Sequence, residues 1–409
     1  MTGFDRLYLF CAVNYLAQGM AGIVYEPVNY LLKDGLKLSA GETAGFVAWM
    51  TAPFLIKPLF GLLTDLVRLP GGLRRPHLVL GALLGSVCWL ALALHPAHRY
   101  APLLLLLTAV NFSVVFCDVV CDGVMVQVGK TAGKTGTYQA VQIGTLYATL
   151  VLTGLGGGWL SAHASMRTVF ILAALFPLLI AGSAVWVEEL PAREPAREGL
   201  RSLLGLARRK RFWALCLMMF LWSFYPFLGS AQFYYQSDAL RLGPLYIGAL
   251  STMGGAAGVA GAAFFGWTVR SVGTARFLRA GVLVSGAASL LYLLYVGPIS
   301  AGLLTVLFGF LGVVFRLALM DMAAQACPKG AAATAFAAYM AVFNLAALAS
   351  NMAGGCLYDR MRLVFASASD PAYCAAAVLI LIGSGCTFSC WWLLPAVLGE
   401  APGERTPLA

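Results

Sequence analysis

Apolar runs long enough to cross a lipid bilayer recur along this chain from one end to the other. A helix needs about 20 apolar residues to span the hydrocarbon core. Because open sheet edges do not occur in lipid, the chain is predicted to be all-α and integral to a membrane, with twelve transmembrane helices. The predicted spans are residues 7–32, 41–63, 77–95, 101–125, 137–161, 168–187, 212–236, 244–268, 277–297, 299–321, 332–355 and 372–396.

The composition excludes a water-soluble fold. Of the 409 residues, 60% are hydrophobic and 11% charged, and the mean hydropathy is +0.83. Soluble domains carry roughly 25% charged residues, which they need to cover the core. The first run exceeds the roughly 7–15 apolar residues of a cleaved signal, so it is predicted to be a retained helix.

The distribution of the basic residues indicates which loops lie on the cytoplasmic side of the membrane. The formal net charge of +10 is unevenly distributed: Arg6, the even-numbered loops and the tail carry 18 Lys and Arg residues, and the odd-numbered loops carry seven. Cytoplasmic loops are enriched in Lys and Arg. Both termini are therefore expected in the cytoplasm of a multi-pass protein of the cell (inner or plasma) membrane. The same short-loop pattern argues against nucleic acid as a partner and leaves the lipid bilayer as the surroundings.

The chain divides into two halves around one polar stretch. Residues 188–211 are the only strongly polar segment in the interior and are predicted to be a cytoplasmic linker. This gives an N-terminal six-helix bundle over 1–187 and a C-terminal six-helix bundle over 212–409. The two bundles are expected to be pseudo-symmetric.

A faint internal repeat supports this division. The tripeptide Val-Val-Phe ending at Phe116 precedes Asp122, and the same tripeptide ending at Phe315 precedes Asp321, with an offset of 199 residues. Parallel repeats of six spans are typical of one large group of secondary transporters.

Six charged residues within predicted spans are candidates for a role in transport. Each costs roughly 2.5–3.5 kcal/mol on insertion scales, so such residues normally face a partner or a wet cavity. They are predicted to bind substrate or to couple transport to an ion. The residues are Glu26, Lys57, Asp118, Asp122, Arg316 and Asp321.

Two interpretations of these charges stay open. Asp118 and Asp122 share a helix face, where repulsion disfavours double ionisation and favours one bound proton. Alternatively, Asp122 and Asp321 lie near the cytoplasmic ends and bind loop arginines as a gate. Arg316 is expected to clamp a substrate carboxylate or to pair with Asp118 when the site is empty.

Uncharged residues add further candidates. Gln232 and Tyr235 end the seventh span, where an amide and an aromatic ring suit a flat heterocycle; an interfacial aromatic belt explains the tyrosine equally well. Glycine clusters in the fifth and eighth spans fit either a rocking contact or ordinary helix packing. These glycines are Gly154, Gly156, Gly157 and Gly158, with Gly254, Gly255, Gly258 and Gly261.

No enzyme chemistry is predicted. The ten cysteines lie almost entirely in apolar runs without a CxxC pair, and no HExxH, GxSxG or P-loop pattern occurs. We therefore expect no metal and no cofactor. A channel and a pigment-assembly protein are the remaining rivals, although charges on both halves favour alternating access.

The sequence resembles the major facilitator superfamily after the second span. Gly61 and Asp65, followed by Arg74 and Arg75, are similar to its cytoplasmic gate signature. Longer strings are similar to the folate-biopterin transporter family of that superfamily. They are Pro53, Lys57-Pro58-Leu59-Phe60-Gly61, Gly72-Leu73-Arg74-Arg75-Pro76, Asp118-Val119-Val120-Cys121-Asp122-Gly123, Cys327-Pro328-Lys329-Gly330, Thr334, Phe336-Ala337 and Asn344.

This resemblance implies a fold and a function. It implies the major facilitator fold, with the first, fourth, seventh and tenth helices lining a central path. It also implies a monomeric, proton-linked symporter of folates, pterins or similar aromatic anions. Lys57, Asp118, Asp122 and Arg316 would be its cavity and coupling residues. The alternatives are a carrier of a different organic solute and a non-transporting assembly factor.

Overall fold

A computed structural model describes most of the chain. The described residues are 3–66, 69–70, 72, 74–95, 99–132, 135–187, 205, 208–272, 274–326 and 332–399. Most of the predicted linker over 188–211 lies outside them. Ten helical segments within the described residues are long and apolar enough to cross a membrane. The chain is therefore a multi-pass α-helical membrane protein.

The α-helices are numbered here in chain order. The N-terminal ones are α1 (Gly3–Met20), α2 (Tyr25–Tyr30), α3 (Ala40–Thr51), α4 (Lys57–Leu66), α5 (Arg75–Leu94), α6 (Tyr100–Ala132), α7 (Thr135–His163) and α8 (Met166–Ser183). The C-terminal ones are α9 (Lys210–Ser223), α10 (Ser230–Tyr234), α11 (Pro244–Val272), α12 (Thr274–Leu290), α13 (Pro298–Ala326), α14 (Ala332–Val364), α15 (Pro371–Ser389) and α16 (Leu394–Leu398).

The second and seventh predicted spans are interrupted helices. In the second, the 3₁₀ turn Ala52–Ile56 separates α3 from α4. In the seventh, a non-helical stretch ending at Gly229, with φ +87°, separates α9 from α10. Proline explains the first break, because Pro53 and Pro58 lack the N–H that continues the helical hydrogen bonds.

The break before α4 has a specific polar partner. Pro58 leaves the carbonyl of Phe54, four residues earlier, without its helical donor. Asn344 Nδ2 on α14 donates to that carbonyl at 3.4 Å. The contact accounts for an amide inside an otherwise apolar span, because an unpaired carbonyl in a membrane costs several kcal/mol.

Spans 1 and 7 end in the same way, which sequence analysis missed. Both end in a π-helical turn, Leu31–Gly35 and Tyr235–Ala239. Lys37 and Arg241 then adopt positive φ angles of 57° and 52°. The matching sequences are Asp34-Gly35-Leu36-Lys37-Leu38 and Asp238-Ala239-Leu240-Arg241-Leu242. A repeated local conformation of this kind is a second internal repeat.

The first repeat also has a counterpart in packing. A Cβ placed on Gly81 of α5 would lie 2.9 Å from the ring of Phe116 on α6. Gly281 of α12 lies even more tightly against the ring of Phe315 on α13. Each repeated phenylalanine therefore packs on a glycine of the preceding helix.

The glycine clusters have divided roles. Gly154 and Gly158 of α7 lie against Gly248 and Thr252 of α11, where the two backbones touch. Gly255 and Gly258 of α11 also face α7, at Leu150 and Tyr147. The other clustered glycines pack elsewhere: Gly156 and Gly157 on Ile23, and Gly254 and Gly261 on α13. The predicted contact between the fifth and eighth spans is thus confirmed for part of each cluster.

We predict that Gly154→Ala destabilises the protein by about 1–3 kcal/mol. Its Cβ would lie 2.6 Å from the Thr252 amide nitrogen and 2.8 Å from the Gly248 carbonyl, and these backbone atoms cannot rotate away. Thermal unfolding in detergent, followed by size-exclusion chromatography, measures the effect. Gly144→Ala on the same helix is the matched control, because nothing lies within 4 Å of its Cβ position. Equal unfolding temperatures for the two variants would contradict the prediction.

Candidate functional site

A buried ion pair lies at the centre of the N-terminal half. Lys57, the first residue of α4, contacts Asp118 of α6 through Nζ and Oδ2. The side chains are 20% and 8% exposed. The Lys57 ammonium also lies 5.4 Å from the centre of the Phe54 ring. Each charge makes the burial of the other tolerable, and removal of either partner leaves an uncompensated charge.

Asp122 lies one helical turn from Asp118 and is held by hydrogen bonds. Its Oδ1 accepts a bond from the Tyr15 hydroxyl of α1 at 3.0 Å and one from Gln142 Nε2 of α7 at 3.2 Å. Three spans therefore meet at this carboxylate. Sequence analysis missed Tyr15 and Gln142, although an amide in an apolar span is a signal that could have identified Gln142.

Arg316 lies on the opposite half and faces open space. It is exposed, lies 5.6 Å from the centre of the Phe343 ring and lines a small void with Tyr147. Its charge acts on the Lys57 ammonium. Within the described residues it makes no ion pair. The partner of Asp118 in this conformation is therefore Lys57, and the predicted alternative pairing with Arg316 is not formed.

The arginines of the predicted gate bind within their own half. Arg74 Nη1 donates to Thr64 Oγ1 at 3.0 Å and lies beside Gly123 of α6. Arg75 Nε donates to the Val187 carbonyl at 2.8 Å. Gly61 and Asp65 belong to α4, but their side-chain surroundings lie outside the described residues, so their part in a gate stays a prediction.

The remaining predicted residues lie apart from the ion pair. Tyr235 is 2% exposed in an aromatic core, and its hydroxyl donates to the Tyr295 carbonyl at 3.1 Å, so it serves packing in this conformation. Gln232 of α10 is half-buried. Asp321 of α13 is also half-buried, and Glu26 of α2 is 9% exposed.

A group of contacts joins the two halves at the ends of spans 1 and 7. Lys33 Nζ lies 2.5 Å from Asp238 Oδ1. The Gly41 amide donates to Asp359 Oδ2 at 2.7 Å, and Tyr234 contacts Thr43 Oγ1 at 2.9 Å. We call Lys33, Thr43, Tyr234, Asp238 and Asp359 the latch. Sequence analysis did not find it, because its members lie in short loops and at helix ends.

The fold and these buried charges define a membrane transporter. The structure is similar to that of a D-xylose-proton symporter, with a TM-score of 0.74 and 14% identity over 98% of this chain and 100% of that one. It is also similar to the nucleoside transporter NupG, with a TM-score of 0.69 and 10% identity over 98% of this chain and 100% of that one. These likenesses show a fold of the major facilitator type.

The chain belongs to the BT1 family, which it matches over residues 18–401. A folate-biopterin transporter of Synechocystis is 27% identical over 361 residues, which are 84% of this chain and 73% of the relative. Folate transporter 2 of Plasmodium falciparum is 24% identical over 369 residues, 85% of this chain and 79% of the relative. The predicted membership of the folate-biopterin transporter family is confirmed, and the family is one of transporters, not enzymes.

We predict that Lys57→Met destabilises the protein by about 3–5 kcal/mol, because Asp118 is left buried without its cation. Lys57→Met combined with Asp118→Leu should regain most of that stability, since an apolar pair replaces an ion pair at little cost. Thermal unfolding of both variants in detergent measures this difference. Transport should be lost in both. A double variant as unstable as the single one would contradict this account of the pair.

Proposed function

We propose that this protein is a proton-coupled secondary transporter of a folate- or pterin-like aromatic anion and works by alternating access. The observation that carries the proposal is the buried Lys57–Asp118 pair, with the exposed guanidinium of Arg316 on the other half. Two cations on opposite halves suit an anion that bridges them. Asp118 is the counter-ion that a substrate carboxylate displaces from Lys57.

The aromatic residues around both cations support a flat substrate. Phe54 lies under the Lys57 ammonium, and Phe343 lies under the Arg316 guanidinium. Rings beside cations are suited to a planar, conjugated ligand with anionic groups, because stacking and charge then act together. The names of the curated relatives point to the same substrate class.

The proposal includes the finer architecture. Twelve membrane-spanning helices form two pseudo-symmetric six-helix bundles, 1–187 and 212–409, joined by a cytoplasmic linker over 188–211. The repeated π-turns and the repeated Phe–Gly contacts support this arrangement. By the distribution of Lys and Arg, both termini face the cytoplasm and the latch faces outward. The protein acts as a monomer in the cell membrane.

With this orientation, the structure is closed to the outside by the latch. We predict that Asp238→Asn weakens the latch and increases the fraction of outward-open protein. Ala44 is fully buried and packs against Gly355 of the other half. In a protein without other cysteines, Ala44→Cys should react with an impermeant thiol reagent only when the latch is open. The rate of this reaction therefore measures opening.

The labelling rate should rise about fivefold for each kcal/mol by which the latch is weakened. Asp370→Asn, an exposed N-cap in which asparagine caps as well as aspartate, is the control. An unchanged labelling rate in Asp238→Asn would show that the ion pair does not hold the closed state.

The function is tested by uptake of labelled folate and a reduced pterin into proteoliposomes, with and without an imposed proton gradient. Wild-type protein should accumulate one of them when a gradient is present. Asp118→Asn should lose uptake under both conditions, because the empty carrier then buries the Lys57 charge without a counter-ion and cannot complete the cycle, whereas Asp370→Asn should behave as wild type.

Absence of pterin and folate uptake from folded protein would reject the proposed substrate class. Uptake of a different organic solute in the same vesicles would then favour the alternative carrier. A protein that transports nothing and copurifies with a pigment complex would favour the assembly factor.

A further inference from the structure

Glu26 is a carboxyl group buried in a membrane span. It is 9% exposed on α2, and within the part of the chain that the structure describes its Oε1 has no hydrogen-bond partner. Within the described residues it takes part in no ion pair. This contrasts with Asp118, which has Lys57, and with Asp122, which has two donors. An ionised carboxylate in such a place costs several kcal/mol, so this conformation requires the neutral, protonated acid.

The described residues of α7 that pack against Glu26 carry no charge that could neutralise its carboxylate. The Glu26 Cβ lies 3.6 Å from the Cβ position of Gly157 on α7, and the Ile23 carbonyl lies 3.0 Å from that position. Glycine thus brings the two backbones together and excludes a side chain. Further along α7, His163 is exposed and bonds to the Trp159 carbonyl at 3.0 Å.

The groups that follow on the same span connect Glu26 to the latch. Tyr30, one turn on, lies 5.1 Å from Phe233 of the other half in an edge-to-face contact, and its hydroxyl has no hydrogen-bond partner among the described residues. Lys33 and Asp34 come next, and Lys33 pairs with Asp238. Closure of the latch and closure of the Tyr30–Phe233 contact therefore cover Glu26 together.

We propose that Glu26 is the residue that carries the proton through the transport cycle. With the latch open, outside water reaches the carboxylate and one proton binds to it. Only the neutral acid permits the latch to close, since closure removes water and supplies no cation. The proton leaves to water that enters from the cytoplasmic side past Gln18, whose Nε2 is likewise unpartnered. The assignment rests on the proposed proton-coupled transport and separates the proton site from the substrate site at Lys57 and Asp118.

Glu26→Gln keeps the shape of the neutral acid but cannot release a proton. The variant should no longer accumulate substrate under a gradient of one pH unit, which supports about tenfold accumulation per proton in the wild type. Exchange of labelled for unlabelled substrate, which moves no net proton, should continue. Glu26→Asp retains a carboxyl and should restore accumulation at least in part, whereas Asp370→Asn should accumulate as wild type. Gradient-driven accumulation by Glu26→Gln would overturn the assignment.

A measurement without substrate keeps this test independent of the proposed substrate class. Infrared spectroscopy of the purified protein should show the carbonyl band of a protonated, buried carboxyl group near neutral pH. The band should lose the Glu26 contribution in Glu26→Gln and be unchanged in Asp370→Asn, with size-exclusion chromatography as the check on folding. A spectrum in which Glu26→Gln retains the whole band would overturn the assignment even if no pterin were transported. Loss of the Glu26 contribution would support the assignment, again whether or not a pterin is transported.

Discussion

The low dielectric of the bilayer limits which states are stable for a charged side chain inside this protein. A lysine or a carboxylate inside a span is stable only if it is paired, hydrated or neutral. All three conditions occur here: Lys57 and Asp118 are paired, Arg316 is exposed, and Glu26 is buried without a partner. These states differ in what they permit. A paired charge can exchange its partner for a ligand, whereas an unpartnered acid can only gain or lose a proton.

The placement of Lys57 depends on breaking a helix. Pro53 and Pro58 interrupt the second span, and α4 begins at Lys57 itself. The interruption leaves the Phe54 carbonyl without a helical donor, and Asn344 from the other half supplies one. Because the donor comes from across the interface, the second and eleventh spans are joined where α4 begins, next to the lysine that we propose binds substrate. A movement between the halves would therefore act on the site directly.

Composition and periodicity are sufficient to predict the membrane fold, because apolar runs of about twenty residues are typical of membrane-spanning helices. The charged residues inside spans were also identifiable, since each is expensive and therefore rare. The residues that they contact could not be identified from the sequence. The Lys57–Asp118 contact joins residues 61 apart, and no local pattern marks it. The latch was missed for the same reason, although the repeated Asp-[Gly/Ala]-Leu-[Lys/Arg]-Leu after spans 1 and 7 could have been found by comparing the halves. The burial of Tyr235 by neighbouring rings could not be predicted either, because no local sequence pattern marks such packing.

The separation of the two buried carboxyl sites has a physical advantage for a coupled carrier. If the proton and the substrate shared Asp118, substrate binding and protonation would both act on the same Lys57 pair, and each would change the charge that the other meets. With Glu26 apart from that pair and close to the latch, its charge bears on closure and not on recognition. The substrate site then only has to exchange one anion for another as the partner of Lys57, Asp118 for the ligand. The condition for closing the latch becomes the neutrality of one side chain, which links the proton gradient to the conformational step through desolvation alone.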